Sequence, residues 1–372
     1  MGDRHLHIVS FDIPYPPDNG GVIDVFYKLK AFSEAGIKVH LHCYEYGRSH
    51  ADELKQYCET IHYYKRRTTR QYLFRARPYI VTSRNSTDLL DSLTSDDHPI
   101  LFEGLHTCFY LDHKNLRHKK KIVRTHNIEH DYYMNLAKVE KEVFKRYYFY
   151  NEAAKLRLFE GVLKHANGLA SISRKDTLYF SRKFKNVHFI PAFHPYQNVD
   201  IQEGKGDYIL YHGNLSVGEN NEAAMYLINK VFNDMENPLV IAGSRPSREL
   251  KEAVWKHKNI TLKTNLTTEE IQDLISNAQV NILPTFQSTG IKLKLLAALY
   301  SGRHCIVNSF MIKNTGLTSL CKIANKPETM KQAVKELFEI PFDNQLFELR
   351  KKVLEKEYSN LVNIRRLLEI LF

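Results

Sequence analysis

Lys292 and Lys294 follow a polar turn, Gln287-Ser-Thr-Gly290, and open a run in which Ile291, Leu295, Leu296 and Leu299 recur at helical spacing. Before the turn, Val280-Asn-Ile-Leu283 reads as a short buried strand. The chain therefore predicts a strand, a glycine-bearing loop and a helix with lysines in its first turn. Free N–H groups and the helix dipole already draw anions to a helix start, and lysine is normally placed at the other end. Lysines at this end imply a negatively charged ligand at Ser288, Thr289, Gly290 and Ile291; the plainer alternative is a pair of solvated surface lysines. Lys292 is the expected phosphate ligand of the two, because Lys294 lies about 200° further round a helix.

Other loops carry compatible chemistry. Gly20-Gly21, Gly213-Asn214 and Gly243, with Arg245 two residues on, each follow a predicted strand, and glycine lets backbone N–H groups approach phosphate oxygens. Neither G-x-G-x-x-G nor a P-loop is present. His126 and Asn127 follow the predicted strand Ile122–Arg124, and Glu129 comes just after them. Glu103 follows the strand Ile100–Phe102, with His106 beyond. Glu103 and Glu129 are candidate general bases, with Asp12 and Asp18 as weaker ones. No metal-ligand spacing and no Asp-x-Asp site is visible, so no metal is expected.

A basic and aromatic segment runs through Arg66, Arg67, Arg70, Tyr72, Arg75 and Arg77 to Arg84 with no acidic residue from 62 to 84. That pattern suits nucleic acid or an anionic headgroup surface, while a solvated basic face is the ordinary alternative. No nucleic-acid-binding motif accompanies it.

The elements that must hold these residues form two series of the same order. In the first, a strand at 5–11, a Pro/Gly-rich loop at 12–21, a helix Val22–Ala35 and a strand at 39–43 make a βαβ unit, followed by further strands and a long helix over 133–166. Residues 191–206 read as a linker. The second series has strands at 208–211, 239–242, 280–283 and 305–307, with Thr267 and Glu270 as a capping box for the helix to Asn277. The final 28 residues read as helical and charged. A chain of 372 residues exceeds one ordinary core. The expected domains are 1–195, a linker 196–204, a second domain 205–344, and a C-terminal helix 345–372 returning to the first.

Composition narrows the partners. The net charge is +11, and 15 of 18 histidines lie in the first 195 residues, which points to lipid, nucleic acid or a phosphorylated small molecule. Five cysteines at 43, 58, 108, 305 and 321 lack metal spacing and fit a reducing compartment. No apolar run approaches a membrane span, and Met1-Gly-Asp-Arg-His5 leads straight into a strand, so no signal peptide is expected.

Several of these segments together resemble the GT-B glycosyltransferases, in particular the group-one, family-four-type nucleotide-sugar transferases. Pro14-Tyr-Pro-Pro-Asp-Asn-Gly-Gly21 is similar to that family's Pro-Pro-x-x-Gly-Gly loop, and Thr125-His-Asn-Ile-Glu129 to its His-Asn-x-Glu segment. Tyr211-His-Gly-Asn-Leu215, with Asn220-Asn-Glu-Ala-Ala224, resembles the opening of its nucleotide domain. Ile282-Leu-Pro284 through Gly302 resembles its donor-site strand, loop and helix. The resemblance implies an α/β fold of two Rossmann-like domains with parallel sheets facing a central cleft. The first would bind the acceptor and the second the donor.

It further implies a metal-independent, cofactor-free transferase that moves a sugar, with retention, from a nucleoside-diphosphate sugar to a glycan or lipid-linked acceptor of cell-surface polysaccharide or glycolipid. Such an enzyme is expected to be cytoplasmic and peripheral on the inner membrane face, with no nucleic-acid partner. In this resemblance His126 faces the transferred sugar. Thr289 and Ala297 stand where the family carries glutamates, and Asn214 where arginine is usual. The competing readings are a UDP-sugar epimerase or hydrolase of related form, and a basic nucleic-acid-binding protein.

Overall fold

The computed structural model describes residues 3–286 and 292–372. The chain divides into two compact units, Met1–Pro195 with Tyr358–Phe372, and Tyr196–Glu357.

The first unit is built on a seven-stranded parallel sheet. Its strands are β1 (Arg4–Ser10), β2 (Ile37–Glu45), β3 (Thr60–Lys65), β4 (Ile100–Glu103), β5 (Lys121–Thr125), β6 (Gly168–Ser171) and β7 (Val187–Phe189), in the order β3-β2-β1-β4-β5-β6-β7. The central strands are apolar runs buried on both faces, as a parallel sheet demands. The second unit repeats the pattern with β8 (Ile209–His212), β9 (Leu239–Ala242), β10 (Ile260–Lys263), β11 (Val280–Leu283), β12 (His304–Val307) and β13 (Lys322–Ile323). Their order is β10-β9-β8-β11-β12-β13. In each sheet the order reverses beside the first strand. That reversal opens a crevice at the carboxyl ends of the strands, where ligands of such folds bind.

Several expected boundaries move for local reasons. The first helix runs from Gly20 to Glu34, with the Asn19 side chain accepting from Val22 N. Gly20 and Gly21 are therefore its first turn rather than a loop. A Cβ on Gly21 would stand 2.8 Å from Phe11 Cζ, so that position has no room for a side chain. The single helix expected over 133–166 is instead two helices, Glu129–Val139 and Val143–Phe159, packed on each other, and a 3₁₀ segment Glu160–His165. Glu140 leaves helical geometry at ψ 128°, and its carboxylate accepts from Glu142 N at 2.9 Å, closing the turn between the helices.

The C-terminal stretch also breaks, at Tyr358-Ser359. Asn344–Glu357 stays with the second unit, and Asn360–Leu371 packs into the first. There Ile364, Leu367 and Leu371 join Leu6, Ile8, Val25 and Leu29 in one buried cluster. Asn360 clasps the backbone of His194, donating to its O at 2.7 Å and accepting from its N at 3.3 Å. Residues 196–204 do not hang free: Asp200 N donates to Tyr300 O, and Gly204 pairs with Phe342. The capping box of Thr267 and Glu270 is present as expected.

Candidate active site

In the second unit, polar side chains gather at the carboxyl ends of β8, β9 and β11. The helix Leu293–Ser301 begins one residue later than Lys292, whose φ of −86° and ψ of 51° are not helical. Lys292 is therefore a cap outside the helix, and the 200° separation expected from Lys294 does not apply. Lys294 Nζ donates to Asn220 Oδ1 at 2.5 Å and lies 5.4 Å from the centre of the Tyr211 ring. Tyr211 in turn donates its hydroxyl proton to Asn220 O at 3.0 Å. Glu219, in the first turn of Gly218–Tyr226, accepts from Thr285 Oγ1 at the end of β11.

The electrostatics here favour an added anion. Burial pushes the Lys294 ammonium down to about 8, opposed by the Glu219 carboxylate and assisted by Lys292. Burial lowers Lys292 too, again opposed by Glu219. Both ammonium groups thus feel the Glu219 carboxylate. Burial and the Lys294 charge push His212 down to about 3, so it is neutral, and its Nε2 has no hydrogen-bond partner among the described residues. A neutral ring beside an ammonium adds no charge to offset an incoming phosphate.

The remaining expected residues of this unit take varied places. Asn214 closes its own turn, accepting from Ser216 N, Ser216 Oγ and Ser244 Oγ. A Cβ on Gly213 would come within 3.2 Å of Asn220 Cγ, and one on Gly243 would lie 1.9 Å from Gly213 O. Glycine at both positions lets the loops after β8 and β9 meet. Arg245 is exposed in the left-handed region at φ 51°. Ser288, Thr289, Gly290 and Ile291 lie outside the described residues. Ala297 packs with Leu210, Val240, Ala242, Ile275 and Ala278, an apolar setting in which a glutamate would have no polar partner.

In the first unit, a buried ionic group stands at the ends of β4 and β5. Arg124 donates from Nε and Nη2 to Asp24 at 3.1 and 2.9 Å, and also to Ile190 O and Pro191 O. Lys28 Nζ bridges Asp24 at 3.0 Å and Glu103 at 2.6 Å. Glu103 Oε2 accepts from His126 Nε2 at 2.9 Å. For Glu103, burial pushes the carboxyl up, but the Lys28 ammonium and the His126 hydrogen bond outweigh it and hold it below its usual value. Burial opposes ionisation of Asp24 as well, and Arg124 and Lys28 overcome it. Asp24, Glu103 and His126 come close enough to ligate an ion, but the Lys28 ammonium already fills that role.

This geometry changes what Glu103 can do. Both its oxygens are committed, one to Lys28 and one to His126, so it orients the imidazole instead of facing an acceptor. His126 Nε2 is directed at this carboxylate, and its Nδ1 has no partner among the described residues. Glu129 differs. Burial pushes its carboxyl up to about 8 despite a hydrogen bond from Asn127. Its Oε1 is unpartnered among the described residues and lies 3.9 Å from His106 Nδ1. The Phe11 ring touches both His106 and His126, at centroid distances of 5.7 and 5.5 Å. His106, His126 and Glu129 thus line one polar spot at the strand ends. Asp12 and Asp18 are both held by Arg48.

The basic segment splits. Arg84 is buried, donating to Phe11 O and Ile80 O. Arg77 folds inward onto Phe109 O and Asp112, and Arg66 stacks over Tyr46 at 4.1 Å. Arg67 and Arg75 are exposed and Tyr72 is half-buried, while for Arg70 only the backbone is described. In the same segment Phe74 is 89% exposed, and on the helix Val143–Phe159 Phe144 and Tyr147 are 85% and 73% exposed. Among the described residues no helix is long and apolar enough to cross a membrane.

Residues 206–339 match the family model described as glycosyl transferases group 1. This stretch is similar to that family. The chain is 28% identical over 329 residues to an uncharacterized 44.6 kDa protein in the cps region of Klebsiella pneumoniae, covering 83% of this chain and 84% of that protein. Its fold is that of the GT-B glycosyltransferases. It superposes on TarM with a TM-score of 0.68 at 11% identity, over 100% of this chain and 99% of TarM. On Anabaena HepE, solved with UDP and glucose, the TM-score is 0.65 at 9% identity, over 99% of each chain. TarM from S. aureus has been solved with UDP and alpha-GlcNAc-glycerol.

Glu219, Asn220 and His212 were not among the site residues expected from sequence. Their signal was their place: His212 ends β8 and the other two follow it closely, within the Tyr211–Ala224 stretch that resembles a nucleotide domain.

Proposed function

We propose that this chain transfers a sugar from a nucleoside-diphosphate sugar to a glycan or lipid-linked acceptor in cell-surface polysaccharide assembly. The observation that carries the reading is the pair Lys292 and Lys294, both partly desolvated, gathered with Glu219 and Asn220 at the ends of β8 and β11. Such a site gains most from a ligand that brings concentrated negative charge, and a diphosphate does so. As the bond from the anomeric carbon to the diphosphate breaks, charge builds on the leaving oxygens. Preorganised cations then stabilise the departing group without a metal ion.

The first unit takes the acceptor in this reading. His126 Nδ1 offers a lone pair to a sugar hydroxyl, and Glu129, protonated at neutral pH, offers a donor. The exposed Phe74, Phe144 and Tyr147, with the exposed Arg67 and Arg75 of the same unit, suit a lipid-linked acceptor met at the cytoplasmic face of a membrane, with aromatics at the interface and cations on anionic headgroups.

The test is incubation with a panel of nucleoside-diphosphate sugars, with and without lipid extract or polysaccharide fragments. Acceptor-dependent nucleotide release supports the proposal. Sugar isomerisation or hydrolysis that needs no acceptor would replace it with an epimerase or hydrolase.

A further inference from the structure

The histidines of the first unit concentrate on one face of its sheet, away from the strand ends that carry His126 and Glu129. Side chains two residues apart on a strand share a face. His5 and His7 on β1 and His40 and His42 on β2 therefore line up, and His62 on β3 continues the row. The parallel register sets His7 opposite His40 and His42 opposite His62. His98, from the turn leading into β4, folds over them. Its ring lies 4.7 Å from that of His5 and 5.7 Å from that of His40, the latter pair within 3° of parallel.

We propose that His5, His40 and His98 bind one divalent transition-metal ion of the zinc type, clamping β1, β2 and the turn before β4 at the amino-terminal edge of the sheet. Each residue offers one ring nitrogen, and the three atoms lie within 4.8 Å of one another. His5 Nδ1 and His40 Nε2 are 2.9 Å apart. Tetrahedral zinc with Zn–N bonds of about 2.0–2.1 Å spaces its nitrogens at about 3.3 Å, so small ring rotations suffice. Imidazole is the ligand type that zinc, copper and nickel prefer.

The surroundings fit a ligand set. His40 Nδ1 is 2.9 Å from Thr60 Oγ1. This contact orients the ring and leaves Nε2 to coordinate, the usual outer-shell arrangement for a metal-bound histidine. Burial, with His5 and His98 assisting, holds His40 below its ordinary value, so it stays neutral and able to ligate. The backbone N–H of His98 donates to Asp96 Oδ1 at 2.9 Å and fixes the turn. Asp96 is itself engaged by His7 Nε2 and Lys119 Nζ, each at 3.0 Å, so it anchors the turn while the three histidines coordinate. His5, His40 and His98 are half-buried, and water can complete the fourth position.

The experiment uses the full chain, stripped with chelator and titrated with Zn²⁺ by calorimetry and with Co²⁺ by visible absorption. The expected result is one Zn²⁺ per chain, a rise in thermal midpoint, and a Co²⁺ spectrum of tetrahedral nitrogen coordination. His98 is half-exposed on a turn, so His98→Gln removes a ligand without opening the core. It should weaken Zn²⁺ binding more than about tenfold and abolish the Co²⁺ band, and Thr60→Val should weaken it about tenfold. Absence of stoichiometric Zn²⁺ binding, or equal binding by His98→Gln with an unchanged circular dichroism spectrum, overturns the proposal and leaves a hydrogen-bonded histidine row.

Discussion

Replacing Lys294 with methionine keeps the length of the side chain and removes its charge. Burial pushes this ammonium from 10.5 down to about 8 in the free protein. A bound diphosphate supplies the missing counter-charge and raises it again. Full recovery is worth about 3.4 kcal/mol, at about 1.4 kcal/mol for each pH unit. The residue is partly open to solvent, and allowing half of that for screening leaves about 1.7 kcal/mol, or about 18-fold in affinity. The sign follows from the same shift. Because binding raises the ammonium's pKa, affinity for a nucleoside diphosphate is full below about pH 8. Above that it falls, approaching tenfold per pH unit until the bound-state value is reached. Calorimetric titration with UDP from pH 6.5 to 9.5 measures both quantities. Lys294→Met should bind about 18-fold more weakly at pH 7, with no such alkaline limb. Binding within threefold of the parent, or an alkaline limb that survives the substitution, would refute the assignment of Lys294 to the diphosphate.

Other outcomes follow from the first unit. Glu129 holds its proton until about pH 8 when folded and releases it near 4.5 when unfolded. Stability should therefore fall as pH rises through that window, by up to about 5 kcal/mol. Glu129→Gln should flatten the dependence, as read by thermal unfolding at pH 5 and pH 9, and equal slopes in the two proteins would contradict the burial argument. Leu367→Ala, in the last helix, should destabilise the first unit by about 3 kcal/mol in denaturant unfolding, because Leu367 is fully buried among first-unit core residues. A loss under about 1 kcal/mol would mean the helix is not part of that core. Joint Phe144→Ser and Tyr147→Ser replacement should reduce sedimentation with anionic vesicles while leaving UDP affinity unchanged, and undiminished sedimentation would remove this face from the membrane reading.

The α/β class and the order of both series were legible because the strands are short apolar runs closed by glycine-bearing loops. The same regularity hid the breaks. Nothing in composition marks Glu140 as a helix end; at the break its side chain closes the turn onto Glu142 N, and Tyr133 and Phe149 of the two helices meet, 5.9 Å apart. The division of the C-terminal stretch was equally silent, since Leu354 and Leu367 belong to one helical pattern but to different units. Edge strands β3, β10 and β13 were missed because exposed positions interrupt their apolar pattern.

At the site, Lys292, Lys294, His126 and Glu129 were visible as residue types following strands. Their roles depended on partners distant in sequence. That Glu103 is spent on Lys28, 75 positions away, is a fact of packing. So is the meeting of Lys294 with Asn220, 74 positions away.

The most direct measurement is a crystal structure of the full chain grown with UDP. The account predicts the diphosphate at the ends of β8 and β11, with its oxygens within hydrogen-bond reach of Lys292 or Lys294. A diphosphate seated elsewhere, with both lysines left as they stand, would contradict it.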